Sequence, residues 1–262
     1  MDHHDPFLPP ASSLDIAGQV ADLPAGPYGP FRENRALAKA VMAMVFLFSF
    51  LVPLLTGALN IAIYAGHPFA TSPPALAYLD LLAFVAFPVV ATYFVFGIWI
   101  IRSAKNAHLF TMIRRKAAVG TPDNPPMMRD TPGWSVGWYF VPIASLWKPY
   151  QAMKDIFTAS ATRPAPDYLL PTWWTLWILA LFTGNAVNAA NSSDSFTTAA
   201  TITVISTAIN LGIALIAIQL VRTLTRMQAD AAADLTTVWQ AIPPAPVPGP
   251  VAEMKAMSEP QY

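Results

Sequence analysis

The chain has no cysteine. That excludes disulfides, thiolate nucleophiles and Cys-ligated metals. Charge is scarce too: 11% of the 262 residues are Asp, Glu, Lys or Arg, where soluble domains carry about 25%. Residues 1–31 contain no Lys or Arg, and the opening MDHHDPFLPP has neither the basic n-region nor the early apolar stretch of a signal peptide. No H-E-x-x-H or comparable ligand spacing occurs, and His3 and His4 form only a short tract in a Pro-rich tail, so no metal and no other cofactor is expected.

What is abundant is apolar. Hydrophobic residues make up 55% of the chain, more than a soluble core needs, and the composition reads as a membrane protein. Formal net charge is zero, but the charges are segregated. Asp2, Asp5, Asp15 and Asp22 mark the first 31 residues as an acidic, Pro-rich tail, and every Lys and Arg except Lys255 falls within 32–229. The final stretch, 230–262, carries Asp230, Asp234, Glu253 and Glu259 and the run IPPAPVPGP. The expected organisation is therefore a disordered tail over 1–31, a cationic helical domain over 32–229, and a second disordered tail over 230–262.

Four uncharged runs are long enough to cross a bilayer, about 40–64, 81–101, 170–191 and 196–221; a span needs roughly 20 apolar residues. Pro53 and Pro88 fall inside the first two and are expected to kink them. Basic residues decide the orientation. Arg32, Arg35 and Lys39 precede the first run, a basic 102–130 loop follows the second, and Arg222 and Arg226 follow the last, whereas the connections at 65–80 and around 191–195 lack Lys and Arg. Both termini and the 102–130 loop are expected in the cytoplasm. The positive-inside rule accounts for that loop without nucleic acid, and anionic lipid is the expected partner of the cationic face.

Several polar residues interrupt the apolar runs: Asp80, Asn185, Asn188 and Asn210. Such groups mark an ion or substrate path in some membrane proteins and hold helices together in others. No Lys, Arg or Glu lies deep in a run, which favours the packing role. Gly133-Trp134-Ser135-Val136-Gly137 matches G-x-S-x-G, but no strand-turn-helix context surrounds it and no His follows it, so no nucleophile elbow is expected.

Three segments carry a resemblance. WIIRSAKNAHLF (99–110), PGWSVGWYFVPIASLWKPYQAM (132–153) and WWTLW (173–177) resemble the motifs of a bacterial integral membrane family, domain of unknown function 4328, over roughly residues 35–228. Lys105, His108 and Ser135 depart from the family's usual residues. The resemblance implies a helical bundle in a bacterial cytoplasmic membrane and no catalytic residues. It singles out Arg102, Asn106, Trp134, Trp138, Pro142, Trp147, Lys148, Pro149, Tyr150 and Gln151 as motif positions for binding.

The expected fold is all-α: four transmembrane helices plus a short aromatic element over 133–160 that re-enters or lies at the interface. The apolar part of that element, Gly133–Trp147, reaches only about 22 Å as a helix, and Pro149 suits a fresh helix start. Beyond the break, Tyr150, Met153 and Phe157 recur on one face, which suits a helix lying in the interface plane. A short, tilted fifth span is the alternative reading. Three functions remain open: a non-catalytic scaffold or accessory subunit binding lipid, another membrane protein or a second copy; a small channel or transporter lined by the Asn residues; and a membrane enzyme acting on lipid.

Overall fold

The computed structural model describes residues 23–68, 72–119, 124–162, 166–191 and 196–243, and all of its named elements are helices. Helix α1 spans Arg35–Tyr64, α2 spans Pro73–Ala117, α3 is the single turn Trp134–Gly137, α4 spans Lys148–Ser160, α5 spans Leu169–Asn191 and α6 spans Phe196–Ala241. Among the described residues, three helical segments are long and apolar enough to cross a membrane: Arg35–Tyr64, Phe87–Ala117 and Thr197–Ala241.

Helix α2 starts where its chemistry dictates. Ser72 is extended and Pro73 occupies the first turn, where a missing N–H costs nothing. It closes on Arg114, Arg115 and Lys116, which complement the negative end of the helix. Its 45 residues extend about 68 Å at 1.5 Å per residue, more than twice the hydrocarbon thickness of a bilayer. The expected 102–130 loop is therefore helical as far as Ala117. Helix α6, with 46 residues, is equally long.

The two overhanging ends create a second core. Leu109, Phe110 and Ile113 of α2 pack against Ala231, Ala232 and Leu235 of α6, with Leu23 closing the cluster. Phe31 stacks on Phe110 at 5.8 Å, and the Lys116 ammonium sits 4.4 Å above the Trp239 ring. Gly26 touches α2 so closely that an added Cβ would lie 3.0 Å from the Leu109 Cβ. Both expected tail boundaries are corrected here. Residues 23–31 pack against α2, and 230–241 continue α6, because Ala231, Ala232 and Leu235 keep an apolar stripe that the acidic residues around them obscure. The remainder of the two expected tails, 1–22 and 244–262, lies outside the described residues.

Helix α1 carries Pro53 without breaking. The turns before it, Val45–Leu51, widen into a π-helix, which relieves the clash between the proline ring and the carbonyl four residues back. The chain runs through Pro88 as uninterrupted α-helix, and the Thr92 hydroxyl donates to the Pro88 carbonyl at 2.7 Å. Helices α1 and α6 approach closely at Gly57, where a Cβ would fall 2.5 Å from Thr207 Oγ1.

Helix α4 begins at Lys148 with Pro149 in its first turn, as the sequence leads one to expect. Its apolar face does not lie on a membrane surface. Met153 and Ile156 are fully buried against α2 and α6 in the main core.

Candidate functional site

Four separate pieces of chain converge on one buried polar cluster. On α2, Ser103 and Asn106 share the inward face with Ala107 and Phe110. On α6, Gln228 continues the buried stripe of Val221 and Leu224. Asn34 stands at the start of α1 but does not cap it with its side chain. Its Nδ2 instead donates to Ser103 Oγ and to Gln228 Oε1, each at 3.1 Å. Asn106 Nδ2 donates to Gln228 Oε1 at 3.1 Å and to the Arg32 carbonyl at 2.9 Å, while Asn106 Oδ1 accepts from the Arg32 N–H. Gln228 Nε2 donates to the Ser103 carbonyl at 2.8 Å and to Ser160 Oγ of α4 at 3.3 Å.

Gln228 thus spends both donor hydrogens and both lone pairs. All five side chains are at most 2% exposed. They are neutral amides and hydroxyls, which hold elements together and do not trade protons near neutral pH. Asn34 Oδ1 is buried with no partner among the described residues.

The aromatic segment forms the second zone. After α3 it makes a 3-10 turn at Trp138–Phe140, a tight turn at Ile143, and another 3-10 turn at Ala144–Leu146. Ile143 has φ 65° and ψ −57°, and the Ala144 N–H donates across it to the Pro142 carbonyl at 2.7 Å. This is the uncommon γ-turn, strained for a β-branched residue. Phe140 and Ile143 are 81% and 72% exposed, with Leu146 and Trp147 beside them also exposed. The other face is built in. Val136 packs beside Gly97 of α2, Tyr139 meets Trp177 edge-on at 5.9 Å, and Trp174 Nε1 donates to the Leu146 carbonyl at 3.2 Å.

The motif residues divide accordingly. Trp138 meets Trp134 at a tilt, ring centres 4.6 Å apart, donates to Asp130 Oδ1 at 3.0 Å and lies under the Lys148 ammonium at 5.1 Å. Pro149 is buried, Tyr150 faces Trp174 at 6.2 Å, and Pro142 is exposed in the turn. The Gln151 carbonyl accepts from Arg129 at 3.3 Å, and Arg102 is only partly covered. Asn210 donates to the Ser206 carbonyl of its own helix at 2.8 Å. Asp80, Asn185 and Asn188 fall on α2 and α5, with side chains outside the described residues.

Both ends of the aromatic segment are tied to one end of α2. His108 Nε2 donates to the Asp130 carbonyl at 3.0 Å. Arg114 donates to the Ala159 and Ala161 carbonyls at 2.6 and 3.1 Å. Arg129 clamps Asp155 with two bonds, at 2.8 and 2.7 Å, and the Asp155 carboxylate holds its guanidinium above the usual range. Burial pushes the His108 imidazole below its ordinary value, opposed by the bond to Asp130. Tyr28 packs edge-on against its ring at 4.8 Å.

A family model described as "Domain of unknown function (DUF4328)" matches residues 70–226. The chain belongs to this family. No curated protein and no solved structure matches it. The DUF4328 domain contains Ser103, Asn106, Ser160 and the whole aromatic segment, whereas Asn34 and Gln228 lie outside it. Of the cluster, only Asn106 stands out in the sequence, through its motif. Gln228 carried a signal, an amide on the apolar stripe of α6, and Ser103 sits one turn before Asn106; Asn34 and Ser160 carried none.

Proposed function

We propose that this DUF4328 protein is a four-span protein of the bacterial cytoplasmic membrane with both termini inside. Helix α5 is the fourth span, and the 133–160 segment dips into the bilayer and returns. The observation that carries this reading is the tethering of Asp130 and Ala159 to His108 and Arg114, only six residues apart on α2. A crossing segment would put its two ends on opposite faces. Two features support it. The exposed tip, Phe140 to Trp147, is apolar, and Phe87, Val90, Phe94 and Ile98 stand exposed along one stripe of α2, as lipid-facing side chains do.

Its role is that of a non-catalytic scaffold or accessory subunit. The buried polar side chains bond one another in a helix clamp, and Asn210, named above for a channel path, is satisfied within its own helix. Exposed Lys39, Lys105, Arg222 and Arg226 form a cationic band suited to anionic headgroups. Single cysteines test the topology cleanly in a chain that has none. Ala65→Cys should be labelled from outside intact cells, and Lys116→Cys and Thr162→Cys only after the inner face is opened. External labelling of Thr162→Cys would make the aromatic segment a fifth span and end this reading.

A further inference from the structure

A cavity of about 590 Å³ lies between α4 and the start of α5. Tyr150, Phe157 and Leu170 supply apolar walls, while Lys154 and Asp167 bring one charge of each sign. Neither charge is used by another described residue. The ion pairs among the described residues are Arg35–Glu33 and Arg129–Asp155, and the Lys154 and Asp167 side chains make no bond with any described residue. A small anion would meet Lys154 but also the Asp167 carboxylate. A ligand that carries both an anion and a cation satisfies both. The volume suits a ligand of that size, since small-molecule sites run to roughly 300–1,000 Å³.

The cavity does not end at the polar rim. Pro171, which lines it, begins an exposed stripe on α5 that continues through Thr175, Leu179 and Phe182 at spacings of three and four. Phe182 is 67% exposed. A soluble zwitterion has no use for that stripe; an acyl chain does.

We propose that this cavity seats the headgroup of a zwitterionic phospholipid, its phosphate at Lys154 and its ammonium at Asp167, with an acyl chain laid along Leu179 and Phe182. The assignment rests on the reading that α5 stands in a bilayer.

The test uses the full chain in mild detergent and native mass spectrometry with added phosphatidylethanolamine or phosphatidylglycerol. Phosphatidylethanolamine should be retained, and Asp167→Asn and Lys154→Gln should each weaken its retention about tenfold, the scale of one charge-assisted bond. Both residues are on the surface, so neither substitution threatens the core. Arg222→Gln with Arg226→Gln should lower phosphatidylglycerol retention and leave phosphatidylethanolamine unchanged. Phosphatidylethanolamine retention indifferent to Asp167→Asn overturns the assignment. Displacement of the lipid by glycerophosphoethanolamine at matching concentration overturns it in favour of a soluble zwitterion. Liposome flotation separates the two levels: a chain that floats but ignores Asp167 loses only this site, and one that does not float loses the membrane reading beneath it.

Discussion

Asn106 and Gln228 stand 122 positions apart and share a buried hydrogen bond of 3.1 Å, with the same Gln228 oxygen also accepting from Asn34. Gln228 is therefore the hub through which the start of α1, α2, α4 and α6 are locked at one level.

Replacing Gln228 with Leu would leave donors on Asn34 and Asn106 without that oxygen, and take from the Ser103 carbonyl the bond it accepts beside its helical one. Each buried polar group left without a partner costs about 1–3 kcal/mol. The variant should lose about 2–4 kcal/mol of stability, read by thermal unfolding in detergent. An unchanged unfolding midpoint would show that the cluster is not a clamp.

Gly57→Ala should destabilise the α1–α6 contact, because the new methyl group meets Thr207 Oγ1 at 2.5 Å and Cγ2 at 3.0 Å. Overpacking of this kind costs about 1–3 kcal/mol. Thr207→Ala removes both atoms, so the double variant should be more stable than the sum of the single losses. Simple additivity in that cycle would mean the helices do not touch there.

The depressed His108 pKa has a definite pH signature. The folded chain resists protonation, whereas the unfolded chain accepts a proton at the ordinary value of 6.5. Stability is then fully present above that pH and declines as pH drops below it. His108→Gln should flatten the decline. Equal slopes for wild type and variant between pH 6.5 and the onset of general acid unfolding would refute it.

The Arg129–Asp155 pair predicts a local effect without a global one. Arg129 is half exposed, so Asp155→Asn should change overall stability by less than about 1 kcal/mol. It should nevertheless raise hydrogen exchange in 131–147, since the clamp closes the neck of that segment. Unaltered protection there would assign the neck to His108 and Arg114 alone.

The helices were legible because their causes are local. An uncharged run records its own burial, and Pro149 breaks and restarts the backbone where it stands. The expected runs at 40–64, 81–101, 170–191 and 196–221 accordingly fall within α1, α2, α5 and α6. Asn106 was legible through its motif, but its role was not: a neutral amide does not reveal whether it faces lipid, a pore or another amide.

The rest needed the tertiary structure. Periodicity along Tyr150, Met153 and Phe157 shows that α4 has an apolar face; that α2 and α6 cover it, and not a membrane surface, depends on chain far away. Acidic and Pro-rich composition pointed to tails at both ends, yet Leu23, Phe31 and Leu235 pack on the overhanging end of α2. Composition reports the average preference of a segment for water, while burial is settled by the surface offered to it. The meeting of Asn34, Ser103, Asn106, Ser160 and Gln228 is of the same kind. Each bond joins residues from 68 to 194 positions apart, and only the packed helices bring those donors and acceptors within 3.3 Å.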